Sequence, residues 1–148
     1  MPYELRPVTS AEDWRHMHAI RRAVLFAPGR LSIAYDENHP DDRAAGNVPY
    51  LLLLDERPIG VVRLDYRGEV ATVRLVAITA EEQGRGHGRM LEALVTDAAK
   101  RRGVRILQVN AAPDAVGYYE KTGWRRASWD PSELRGIAAN CIQMTKHL

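Results

Sequence analysis

The chain has 148 residues with 45% hydrophobic content, enough for one domain over residues 1–148 that buries about two thirds of its unfolded-chain surface, and too little for a second independent core. Its 21 basic and 19 acidic residues leave a net charge of +2, a slight imbalance and not a basic tail, so nucleic acid is not required as a partner. The lone Cys141 cannot close an internal disulfide, no Cys/His run has zinc spacing, and no stretch reads as an export signal or a membrane span. The expectation is therefore a metal-free cytoplasmic protein with no membrane partner.

Residues 3–8 read as an opening strand, after which Thr9 and Ser10 offer N-caps with Glu12 and Asp13 as capping-box partners. Trp14, Met17, Ile20, Val24 and Leu25 then keep helical spacing, with Arg15, Arg21 and Arg22 largely on the other side, until Pro28-Gly29 ends the helix. Residues 30–49 show little periodicity and predict a loop with a short helical turn. Residues 50–55 and 59–66 predict a buried hairpin around Glu56-Arg57-Pro58, and β-branched Val70, Thr72, Val73, Val76 and Ile78 predict a third strand over 69–78.

Leu91, Leu94, Val95 and Ala98 mark one face of a helix over 89–102, with Gly103 placed as its C-cap glycine. Arg101, Arg102 and Arg105 cluster near that end, where positive charge complements the helix dipole. A strand over 104–111, a short helix over 114–121 after Pro113, and strands over 124–129 and 140–147 complete the order. The result is an α+β fold with a mostly antiparallel sheet of six to seven strands.

Between the third sheet-hairpin strand and the long helix stands Gln83-Gly84-Arg85-Gly86-His87-Gly88. Glycines at a helix N-terminus let successive backbone N–H groups converge on an anion that the dipole also favours, so the segment suits a pyrophosphate. It is not a P-loop, since no G-x-x-x-x-G-K-[ST] is present, and it is not a dinucleotide loop, since Arg89 stands where a further glycine is needed. Taken alone, three alternating glycines are equally compatible with an unliganded turn.

The pattern Q/R-x-x-G-x-G/A resembles the acetyl-CoA signature of the GNAT superfamily, with Gln83, Gly86 and Gly88 on its fixed positions. Downstream, Tyr118-Tyr119-Glu120-Lys121-Thr122-Gly123-Trp124 is similar to the family's F/Y-Y-E-K-x-G-F segment, with Trp124 in place of the usual Phe. The resemblance covers residues 70–129 closely and the remainder in layout.

This resemblance implies N-acetyl transfer from acetyl-CoA to a primary amine by direct attack while both are bound. It implies a bulged strand splayed from its parallel neighbour, with Val76, Ala77 and Ile78 offering backbone groups to the pantetheine arm. Gln83, Gly84, Arg85, Gly86, His87, Gly88 and Arg89 would hold the pyrophosphate, and Asn110 would contact the arm or cap a strand end. Tyr119 matches the position that protonates the departing thiolate, for which a phenol is a competent acid, while Tyr118 reads as core. The strand positions that carry a general base in some relatives are Thr72 and Arg74 here, and neither accepts a proton at neutral pH. Glu69, His39, Asp36, Glu37 and Asp41 remain as candidates, or a water chain.

The resemblance implies an acceptor side built by residues 30–48 and 130–139, where the acids Asp36, Glu37, Asp41 and Asp42 around His39 would attract a cationic amine and Arg74 would hold a carboxylate. An amine that also bears an acid satisfies both, although loop acids also serve simply to solvate a surface. A small-molecule amine is the first expectation, and a protein N-terminus or lysine the second. The competing reading is a non-catalytic acyl-CoA sensor on the same fold. The protein would act as a monomer or homodimer.

Overall fold

The computed structural model describes residues 2–26 and 34–148. A seven-stranded sheet of order β1-β2-β3-β4-β5-β7-β6 carries everything else. Its strands are β1 (Tyr3–Pro7), β2 (Asn47–Leu54), β3 (Arg57–Arg67), β4 (Val70–Ile78), β5 (Ile106–Ala111), β6 (Arg125–Arg126) and β7 (Ile142–His147). The helices are α1 (Ala11–Val24), α2 (His87–Arg101) and α3 (Val116–Lys121). All pairings are antiparallel except β4 with β5, as the α+β reading requires.

Helix α1 starts at the capping box that the sequence offers: Ser10 Oγ accepts from the Asp13 N–H, and the Asp13 carboxylate accepts from the Ser10 N–H. Its buried stripe is Met17, Ile20, Arg21 and Val24, an i, i+3, i+4, i+7 face that packs on Leu51, Leu53, Val61 and Ala77. Arg21 therefore lies on the covered face and not with the solvated arginines, because the Asp42 carboxylate reaches it there. The Pro28-Gly29 stop lies outside the described residues.

Helix α2 covers the other face of the sheet. Leu91, Val95 and Ala99 recur one turn apart and pack with Ala71, Val73, Leu107 and Val109, each buried aliphatic side chain contributing about 1.5–3 kcal/mol by leaving water. The helix begins at His87, two residues before the apolar periodicity starts, with Gly86 as its cap.

Three other boundaries differ from the sequence expectation. Strand β2 starts at Asn47, because its first residues pair with β3 as far as Asn47↔Asp65 although Pro49 reads locally as a breaker. The hairpin turns at Asp55 and Glu56, both at positive φ (49° and 67°), so Arg57 and Pro58 already belong to β3. Strand β6 shrinks to Arg125–Arg126. Beyond it Trp129 leaves the ladder to place its indole N–H on the Val109 carbonyl at 3.2 Å.

Candidate acetyl-transfer site

The site begins with a break in sheet pairing. Strands β4 and β5 pair from Val70↔Ile106 to Val73↔Val109 and then part, leaving β4 from Arg74 to Ile78 without a partner on that side. On its other side β4 carries a bulge: Val61 pairs with Ala77 and Arg63 with Arg74, so Leu75 and Val76 share one opposing residue, Val62. Leu75 takes φ 52°, a conformation that disfavours a branched side chain by roughly 1–2 kcal/mol. The bulge bends β4 away from β5, and the gap opens into a cavity of about 660 Å³ lined by Val76, Ala77, Ile78, Gly88, Asn110 and Tyr119, among others.

One end of this cavity is the glycine loop. Gly84 and Gly86 have φ of 78° and 85°, and a Cβ built on either meets no atom within 4 Å. Left-handed backbone is what glycine permits, and the space beside both glycines is open at the start of α2. Gln83 donates its side-chain amide to the Ile78 carbonyl at 2.8 Å, tying the loop to the end of β4. Arg85 and Arg89 are exposed beside it, a positive flank for an anion.

The loop is braced from beneath. The His87 side chain is buried and points inward, between the Tyr3 hydroxyl at Nδ1 (2.6 Å) and Glu82 Oε1 at Nε2 (2.9 Å). Only its backbone remains available to a ligand in the loop. Tyr118 donates its hydroxyl to the Gly88 carbonyl at 2.5 Å, joining α3 to the first turn of α2. Burial, with Glu92 adding, pushes the Tyr118 phenol up to about 12.

Tyr119 lines the same cavity and packs edge-on against Trp124 and Tyr118. Burial, with the negative charge of Glu92 adding, raises its phenol well above the ordinary value. Glu92 is itself held by the Trp124 indole at 2.7 Å and the Lys146 ammonium at 3.0 Å. Cys141 also lines the cavity, and burial raises its thiol, so it is protonated at neutral pH and a poor nucleophile.

Asn110 stands at the parted end of β5 with both halves of its amide engaged. Its Nδ2 donates to Glu133 at 3.0 Å, and its Oδ1 accepts from Gln143 at 3.0 Å. Arg74 is the other residue at the fork. It donates to Asp65 at 2.9 Å and makes a two-pronged bond to Glu133, at 2.9 and 3.1 Å.

Asp36 and Glu37 are exposed and do not line the cavity among its described residues. Asp36 accepts from the Asn38 N–H at 2.9 Å, and Glu37 pairs with Arg22 on α1. The acids that sit beside Arg74 are Asp65 and Glu133, which the sequence reading did not select. Arg63 and Asp65 do interrupt the apolar run of β3 at alternate positions, a visible sign of a polar sheet face. Glu133 belongs to the 130–139 segment that the resemblance puts on the acceptor side, but no motif singles it out there. Among the described residues no group of His, Cys, Asp and Glu is placed to hold a metal ion, and no helix is long and apolar enough to cross a membrane.

A sheet split beside a bulge, with a glycine-capped helix facing the split, is the framework of an acyl-group transferase. The family model of the GNAT acetyltransferase domain matches residues 37–148, and the chain belongs to that family of N-acetyltransferases. A Bacillus subtilis protein named as an acetyltransferase is 25% identical over 125 residues, spanning 84% of each chain. Two solved structures share the fold. A Lactobacillus plantarum protein assigned as an N-acetyltransferase superposes with a TM-score of 0.81 at 23% identity, over 100% of this chain and 99% of that one. The Neisseria gonorrhoeae N-acetylglutamate synthase, solved with coenzyme A and N-acetylglutamate, gives 0.73 at 20% identity over 99% of this chain and 35% of that one.

Proposed function

We propose that this protein transfers the acetyl group of acetyl-CoA to a primary amine, with both molecules bound at once. The observation that carries the reading is the coincidence of the unpaired β4 edge with the cavity wall. Strand groups of Val76, Ala77 and Ile78 on the edge that β5 leaves unpaired, apart from the Ile78 carbonyl that accepts from Gln83, can hold the amide-bearing pantetheine arm as an added strand would. The N–H groups of residues 84–89 receive the pyrophosphate at the helix N-terminus, with Arg85 and Arg89 flanking it.

Bound acetyl-CoA supplies a thioester, whose acetyl carbon gains a bond to the neutral amine nitrogen as its bond to sulfur breaks; the nitrogen gives up a proton to water and the sulfur takes one. The chain's own part is to orient, polarise and handle that proton. A strand N–H beside the bulge polarises the acetyl carbonyl, and holding amine and thioester together removes the entropy of a bimolecular encounter. Tyr119, kept protonated by its burial, is the proton donor to sulfur. A protonated, half-buried Cys141 favours direct transfer over an acyl-cysteine route. Asn110 holds the fork in register and not the reacting atoms, since both ends of its amide are already bonded within the chain.

The test is a melting scan with millimolar acetyl-CoA together with a coenzyme A release screen against a mixed amine panel. A ligand that binds only the folded state raises the melting temperature by mass action. An unchanged melting temperature counts against the reading, and a raised one with no release on any amine favours a non-catalytic acyl-CoA sensor.

A further inference from the structure

Below the point where β4 and β5 part, on the sheet face away from α2, lies a second cavity of about 370 Å³ lined by Asp65, Thr72, Arg74, Gln108, Trp129 and Glu133, with Arg67 and Asp130 at its margin. Arg74 belongs to this pocket and to the larger cavity alike. Its two-pronged bond to Glu133, which also accepts from Asn110, is the partition between them. The floor is Thr72 bonded to Gln108 at 3.3 Å, and one wall is Trp129, fixed by its bond to the Val109 carbonyl.

The charges of the partition continue a buried chain. Arg21 bonds Asp42, Asp42 bonds Arg63, Arg63 bonds Asp65, Asp65 bonds Arg74, and Arg74 bonds Glu133. Positive and negative groups alternate and balance, three of each. At the buried end Arg21 and Asp42 are 1% and 4% exposed, whereas Arg74 and Glu133 are 29% and 28% exposed. The last pair is thus the one that a solute can reach, and Glu133 sits on a short turn, Pro131–Glu133, between β6 and β7.

We infer that this pocket receives the acceptor, and that the acceptor carries a carboxylate as well as an amine. The inference rests on the acetyl-transfer reading and extends it to the substrate class. A molecule entering between Arg74 and Glu133 breaks their pair. An ammonium alone satisfies Glu133 but leaves Arg74 with a single shared carboxylate and brings surplus positive charge beside Arg67. A zwitterion replaces both ends of the bond, its ammonium on Glu133 and its carboxylate in the fork of Arg74, and leaves the balanced chain balanced. A free amino acid or a close analogue has this chemistry, and a polyamine lacks it. Glu133 acts here in recognition: the hydrogen bonds and charge of Arg74 hold its carboxyl below the usual range, so it is a carboxylate when the acceptor arrives.

The experiment uses the intact protein and the variants Arg74→Gln, Arg74→Lys and Glu133→Gln. Calorimetry first measures acetyl-CoA affinity in each, and coenzyme A release is then followed with the common L-amino acids, spermidine and tyramine. We expect all four proteins to retain acetyl-CoA binding and an amino acid to be the best wild-type acceptor. Arg74→Gln then raises KM for that amino acid by about tenfold or more, the size of a lost charged hydrogen bond, and raises that for tyramine less. Arg74→Lys, which keeps the charge and loses the fork, lies between, and Glu133→Gln raises KM for all amines with the shape of the pH profile unchanged. Spermidine or tyramine as the preferred acceptor overturns the proposal, and so does an Arg74→Gln effect equal across all three classes, which marks a structural role. Release on spermidine or tyramine but on no amino acid overturns this proposal alone, whereas acetyl-CoA binding with no release on any amine, or no acetyl-CoA binding in the wild type, overturns the acetyl-transfer reading beneath it.

Discussion

Arg21 and Asp42 are joined by a 2.8 Å bond from Nη1 to Oδ2 with both side chains almost wholly buried. Arg63 holds the other oxygen of Asp42 at 3.1 Å, so one carboxylate compensates two guanidiniums, one from α1 and one from β3. Removing one partner of such a set leaves an uncompensated buried charge. Asp42→Ala is expected to lower stability by about 3–5 kcal/mol, read from urea unfolding at pH 7. A change below about 1 kcal/mol, the range of exposed pairs, would show that water reaches the set freely.

The same carboxylate sets an acid limit. Burial on its own would raise the Asp42 carboxyl, but the hydrogen bonds and charges of Arg21 and Arg63 outweigh it and hold the group below its ordinary 3.8. Asp13 is likewise lowered against its burial, by the Thr9 and Ser10 N–H groups and by Arg6. For groups depressed in the folded state, the stabilisation is present above the unfolded pKa and is lost as pH falls through the folded one. The contribution of these two carboxylates to the urea midpoint is therefore expected to hold from neutrality down to about pH 5 and to drop below about pH 4. Asp42→Asn should flatten that drop, and an unaltered slope in the variant would remove Asp42 from the account.

Gly86→Val is expected to abolish the acetyl-CoA melting shift while leaving a folded protein. The site has open space for a Cβ but a φ of 85°, so the strain is local, roughly 1–2 kcal/mol, and a branched side chain would stand where the loop faces its anion. Circular dichroism checks the fold and calorimetry checks the binding. Wild-type affinity in this variant would take the glycine loop out of the site.

Tyr119→Phe is expected to lower kcat by roughly ten- to ten-thousandfold with acetyl-CoA affinity nearly unchanged, as for loss of a general acid. Burial, Glu92 and the neighbouring Tyr118 and Cys141 all raise the Tyr119 phenol, so it stays protonated past pH 9. Deprotonation of Tyr119 should then cause no fall in kcat between pH 7 and 9. A wild-type alkaline limb in that interval that disappears in Tyr119→Phe would contradict the raised phenol.

Local chemistry was enough to read the elements that depend on neighbours in the chain. The Ser10 and Asp13 capping box, the apolar stripe of α2, the glycines at its start and the motif around Tyr119 each involve residues a few positions apart, and each is found where their spacing implies. The strand order β4-β5-β7-β6 and the break after Val73↔Val109 arise from pairings between distant segments and from the Leu75 bulge, which no local pattern records. The same holds for the polar face of the sheet. Asp42, Asp65 and Glu133 are separated by tens of residues, and each looks like an ordinary solvated acid until folding brings an arginine to it. Asp36 and Glu37 show the converse, acids chosen for their density in the chain that the fold turns toward solvent and Arg22. By itself the sequence determined the family and singled out the glycine loop and Tyr119 as candidates, because backbone conformation and short motifs are properties of adjacent residues. Only the tertiary structure decided which charges face the fork, because burying a charge requires a partner that the sheet brings from elsewhere in the chain.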